Sequence, residues 1–182
     1  MTREEAGKET GYLPGAEPSA GSGIVTEVML TVTGEQTYAD GHKDTSVSRA
    51  RASLERTDRG TGENEGAVHV LRYREKDTVS GAVTESVMSF SGTGCRIERS
   101  GAVSAVMRFA QGEESRFDYG TPFGAIPMSV CTHLVAVRQI GGNFHARIRY
   151  TLTPEGGDPI ECAVTIRAEP APPEKADAKP LK

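Results

Sequence analysis

A chain of 182 residues with 36% hydrophobic and 25% charged side chains suits a single globular domain with one core. Its net charge of −4 gives no general attraction to phosphate backbones or anionic lipid, so neither nucleic acid nor a membrane is an expected partner. The 21 glycines, the lack of tryptophan and the shortness of every apolar group point away from long helices and toward an all-β fold with many turns.

The first element expected is a disordered tail over residues 1–22, where Pro, Gly, Ala and charge leave too few large apolar side chains to offset the entropy of ordering. Its opening MTREEAGKET carries acids where a secretory signal needs a basic patch followed by an apolar run, so a cytoplasmic location is expected. From residue 23 to 168 period-two alternation dominates. VTEVMLTVTGEQ and SVSRARASLE read as strands, although RARASLERT at 49–57 also fits one helix. GTGENEG at 60–66 has the wrong spacing for a dinucleotide loop and is expected to be a flexible connection. VHVLRYRE, VTESVMSF and GCRIERSG follow as strands, then AVSAVMRFA with Val103, Ala105, Met107 and Phe109 inward, and SRFDY with Phe117 and Tyr119 on one face.

Next comes YGTPFGAIP, where Gly120 and Gly124 can take positive φ, Pro122 fixes its own φ, and Pro127 lacks a ladder donor. These residues predict a barrel corner or bulge that re-aims the chain within one curved sheet. IPMSV and CTHLVAVR make a long strand. NFHARIRYTL places Phe144, Ala146, Ile148, Tyr150 and Leu152 inside and His145, Arg147, Arg149 and Thr151 outside. TPEGGDP turns it into ECAVTIRAE, a hairpin in which even-numbered residues pair with even. Residues 169–182 read as a second disordered tail. About 8–10 antiparallel strands at short spacing indicate a sandwich or a barrel, and closure removes two exposed edges, so a single up-and-down β-barrel is expected.

The run RSGAVSAVMRFAQGEESRFDYGTPFGAIPMSV resembles the signature of the YwiB-like family of bacterial proteins, calycin-type barrels of unestablished function. Arg99, Gly101, Phe109, Gly112, Tyr119, Thr121, Pro122, Phe123 and Gly124 carry the resemblance, which extends over about residues 25–168. It implies a lipocalin-like single barrel in a cytoplasmic bacterial protein and brings no catalytic residues.

Cys95, Cys131 and Cys162 are odd in number, widely spaced and without metal-ligand spacing, so they read as buried free thiols, Cys131 being the least defined by its neighbours. His42, His69, His133 and His145 are scattered and expected at the surface, and no cofactor or metal is indicated. Arg147 and Arg149 point outward, solvated or opposite Glu161. Arg99 and Arg138 lie near strand ends, where a guanidinium can cap carbonyls or reach over a barrel mouth toward a carboxylate or phosphate.

The function expected from these residues is non-catalytic binding of a small, mainly apolar or amphipathic ligand inside the barrel. Its candidate site comprises Arg99, Phe109, Phe117, Tyr119, Phe144 and Tyr150. The alternatives are a scaffold barrel with a filled interior, for which a homodimer is compatible, and an enzyme built in the barrel mouth.

Overall fold

The structure is a computed structural model and describes residues 23–58, 66–76, 80–92 and 94–172. The expected N-terminal tail, most of the C-terminal one and nearly all of the 60–66 loop lie outside the described residues. Ten strands follow one another: β1 (Ile24–Thr37), β2 (Lys43–Asp58), β3 (Ala67–Lys76), β4 (Val83–Ser91), β5 (Gly94–Gly101), β6 (Ala105–Ala110), β7 (Glu114–Thr121), β8 (Gly124–Ile140), β9 (Asn143–Pro154) and β10 (Ile160–Pro170). The helix-compatible stretch 49–57 is part of β2, where Ala52 and Leu54 are buried and Arg51 and Arg56 are exposed. Period two wins over period 3.6 there because neighbouring strands take up both edges of the backbone over residues 52–56.

All pairings are antiparallel and the sheet order is β6-β5-β4-β3-β2-β1-β10-β9-β8-β7. The first and last strands therefore meet, from Val28↔Pro170 to Thr37↔Glu161. The two ends of the sheet, β6 and β7, are neighbours in sequence and nearly close the wall. Ser104 and Gly120 exchange backbone hydrogen bonds of 3.0 and 2.7 Å, and around the β6–β7 turn Gly112 N–H donates to Thr132 O and Thr132 N–H to Glu113 O. Gly120 permits this approach because a Cβ there would overlap the Ser104 hydroxyl. The result is an up-and-down β-barrel.

The glycine-rich corner is the turn of the β7–β8 hairpin. Thr121 pairs with Gly124, Pro122 and Phe123 form the two-residue loop, and Gly124 takes φ 129°. Thr121 Oγ1 donates to Gly124 O at 2.8 Å and accepts from Phe123 N–H at 3.2 Å. Pro127 sits where β8 overhangs β9, whose pairing starts at Met128↔Pro154. Further along β8, a bulge between Thr132 and Leu134 switches the parity. Val130 and Thr132 are buried before it and Val135 after it, so Gln139 turns inward to meet His69 at 2.8 Å. β10 runs to Pro170, two residues beyond the expected end of the domain, and Ala171 N–H bonds Glu27 O.

The hairpin β9–β10 has the expected register, Ile160↔Leu152 and Cys162↔Tyr150. Its inward residues, Ile166 among them, join Leu30, Leu71 and Phe90, these four at most 1% exposed, in one interior cluster. Each contributes about 1.5–3 kcal/mol through burial. Two sequence expectations need correction. Cys131 is exposed while Cys95 and Cys162 are buried, and His69 is 7% exposed rather than at the surface, because odd-numbered residues of β3 face the core.

Candidate functional site

One cross-strand row inside the barrel differs from the rest. Ala52, Tyr73, Ser86, Arg99 and Ala105 lie directly opposite one another across β2 to β6. The small members leave volume for a phenol and a guanidinium that would otherwise collide. Tyr73 and Ser86 are 5% and 1% exposed, yet the Tyr73 hydroxyl, Ser86 Oγ and Arg99 Nε have no hydrogen-bond partner among the described residues. The Tyr73 hydroxyl is near enough to Ser86 and Arg99 to be influenced by both, but not in hydrogen-bond geometry. Unsatisfied buried polar atoms each cost about 1–3 kcal/mol, so a row holding three is unusual in a barrel wall.

Arg99 organises this end of the interior. Its Nη2 lies 3.3 Å from Glu75 Oε2, with both side chains less than a third exposed. Burial works against its charge, but Tyr73, Glu75 and Tyr119 outweigh that effect and hold the guanidinium charged more firmly than usual. Burial, followed by Glu75, pushes the Tyr73 phenol up, with Arg99 and Ser86 pulling it partly back. Tyr150 is also raised, first by burial and then by Cys162, and Arg99 again opposes. Burial pushes the Cys162 thiol up to about 11.

Of the six residues expected at the site, Arg99, Tyr119 and Tyr150 are brought into one electrostatic neighbourhood, and half-buried Phe117 lies two residues from Tyr119 on the same face of β7. Phe109 and Phe144 pack within the core. Phe109 packs against Tyr150 with the rings tilted by 56° and centroids 4.9 Å apart, and Phe144, fully buried, lies 5.2 Å from Phe90 and 5.1 Å from His69. Tyr73, Glu75 and Ser86 were not singled out from the sequence. Their signal was polar residues at inward positions of RYRE and VTESVMSF, visible once parity is assigned.

Beside this row the wall opens. β2 pairs with β3 only up to Ala52↔Tyr73, so the first half of β2 and the last residues of β3 separate. The gap is a cleft of about 1100 Å³ lined on its inner side by Ala50, Ala52, Tyr73, Glu75, Thr84 and Ser86. Tyr73 and Ser86 thus border the cleft, with their hydroxyl oxygens turned away from solvent.

On the outer surface, His133 at the bulge lies 2.7 Å from Thr151 Oγ1, which donates to Glu161 Oε1 at 2.7 Å. Glu161 is therefore partnered by Thr151, not by Arg147 or Arg149, which sit opposite Thr165 and Ala163. Among the described residues no group of His, Cys, Asp and Glu is arranged to hold a metal ion, and no helix is long and apolar enough to cross a membrane.

Comparison with known proteins bears on the fold. No curated protein matches the chain. The crystal structure of the ywiB protein from Bacillus subtilis is similar, with a TM-score of 0.66 and 20% identity, covering 81% of this chain and 94% of that one. The sequence pattern of a domain of unknown function, DUF1934, matches residues 40–166, which is well over half the length. The chain belongs to the DUF1934 family, whose YwiB-like barrel it shares.

Proposed function

We propose that this protein is a non-catalytic binding barrel that admits a small amphipathic molecule through the β2–β3 cleft and holds its acidic group beside Arg99, in the cytoplasm. One observation carries the proposal: the Tyr73 hydroxyl, Ser86 Oγ and Arg99 Nε are buried side by side without partners. A carboxylate or phosphate is acceptor-only and satisfies all three, and a guanidinium fork suits either group. Tyr119 and Tyr150 share the electrostatic neighbourhood of Arg99, while the packed rings of Phe109 and Phe144 would confine the ligand to the polar end. The same packed rings favour a second reading, a scaffold barrel that binds partners only on its outside.

Native mass spectrometry of the protein purified from its host, followed by denaturation, should release a small molecule bearing an acidic group. Arg99→Gln should lose it while keeping the circular dichroism of the parent. Bare protein from the host, or equal loading of the variant, would leave the scaffold reading in its place.

A further inference from the structure

The arginines of the outer wall fall into two populations. Around β3–β5 they are neutralised: Arg72 with Glu55 at 2.8 Å, Arg74 with Glu85 at 2.8 Å, and Arg96 with Glu98 at 2.9 Å. Across β8, β9, β10 and the first part of β2 they are not. Arg49, Arg138, Arg147, Arg149 and Arg167 are all exposed, and none makes an ion pair among the described residues.

Register places these residues together. One outward row reads Arg138, His145, Arg167, Thr31, Arg49, each directly opposite the next. The adjacent row reads Ala136, Arg147, Thr165, Thr33, Val47. Neither contains a carboxylate. The third row holds Arg149 and its one acid, Glu35, while Glu169 lies beyond the first row and Glu161 is engaged by Thr151. Arg138 and Arg167 flank a single imidazole, His145, and no acid in either row offsets them. An external anion with repeated charges complements such an arrangement.

We infer that this face is a docking surface for a nucleic-acid backbone, read without regard to sequence. Arginine forks and threonine hydroxyls are the side chains that contact phosphates, and the two acid-free rows contain few other polar groups. Neither row carries Phe, Tyr or Trp on which bases could stack, so contact is with the backbone. The first row crosses four strand spacings, roughly 19 Å along a wall that curves away, which a single strand can follow and a rigid duplex cannot. The overall charge of −4 does not reveal this surface, because neither of the two rows contains an acid.

Fluorescence anisotropy with a labelled single-stranded oligothymidylate of roughly 20 nucleotides, titrated between about 50 and 200 mM salt, tests the inference. The expected result is saturable binding that weakens steeply with salt and exceeds that of the matching duplex. Arg138→Gln/Arg147→Gln/Arg167→Gln should make the logarithmic salt slope shallower by about 2, at roughly 0.7 per lost phosphate contact. Arg74→Gln/Arg96→Gln, on the neutralised side, should leave it unchanged, and Arg149→Gln alone provides a milder variant should the triple one lose its β-sheet dichroism. Absence of binding at the lowest salt, an equal effect of both sets of variants, or preference for phosphatidylglycerol vesicles or polyglutamate over the oligonucleotide would overturn it.

Discussion

Gly120→Ala probes the seam where the barrel wall nearly closes. A Cβ at residue 120 would run into the Ser104 hydroxyl and lie 3.3 Å from the Ser104 carbonyl oxygen. The structure at risk is the reciprocal pair of backbone hydrogen bonds between these residues. At about 0.5–1.5 kcal/mol net for each bond, parting the two backbones should cost about 1–3 kcal/mol. Gly120 itself does not have positive φ, so the loss is steric rather than conformational. Because the worst overlap is with one removable atom, Ser104→Ala should rescue Gly120→Ala, with a coupling of about 1 kcal/mol or more in the double-mutant cycle. Gly101→Ala supplies the contrast: φ is 110° there and the obstructing atom is the backbone oxygen of Val83, so no side-chain removal can relieve it. Urea unfolding followed by far-ultraviolet circular dichroism is the suitable assay, since the chain has no tryptophan to report by fluorescence. A Gly120→Ala midpoint equal to the parent's, or a Ser104→Ala loss that simply adds to it, would refute the steric account of the seam.

Phe144→Ala removes a fully buried ring seated between Phe90 and His69 and should lower stability by about 3–5 kcal/mol; a thermal melt displaced by only a degree or two would mean the rings are not packed as described. In the native state a thiol reagent such as Ellman's should titrate one cysteine quickly, Cys131, with Cys95 and Cys162 reacting only on unfolding; three equal rates would contradict the burial of the latter two. Stability should also fall in alkali. Tyr73, Tyr150, Cys95 and Cys162 are all raised by burial, so the unfolded chain releases their protons first as pH climbs. For Cys162 the contribution is intact below its ordinary value of 9.0 and is lost as pH rises through about 11; a urea midpoint that stays level across that interval would exclude it.

The strand pattern was largely legible because half-buried antiparallel strands display their parity directly. In β9, Phe144, Ala146 and Ile148 alternate with exposed His145, Arg147 and Arg149 as the residues themselves suggest. Two features were hidden for physical reasons. The bulge at Thr132/Leu134 adds one residue with no distinctive side chain, so the inward turn of Gln139 toward His69 depends on a register shift that composition does not record. The Thr121–Gly124 segment displayed its turn chemistry, but whether such a turn kinks a strand or ends it is decided by the partner across the sheet. The site was visible in part. Arg99, Tyr119 and Tyr150 share its electrostatic neighbourhood, whereas Tyr73 and Ser86 are brought beside Arg99 only through two further strand registers.

Every hairpin of the barrel joins strands adjacent along the chain except the β1–β10 ladder, which unites its two ends. Local pieces can zip early, but that last ladder demands a large loop closure before any of its contacts are gained. During synthesis β1 therefore has one edge without its final neighbour until β10 has left the ribosome. An unpaired edge of that kind invites association with other chains, and the burden of preventing it falls on the polar side chains β1 presents outward: Glu27, Thr31, Thr33 and Glu35.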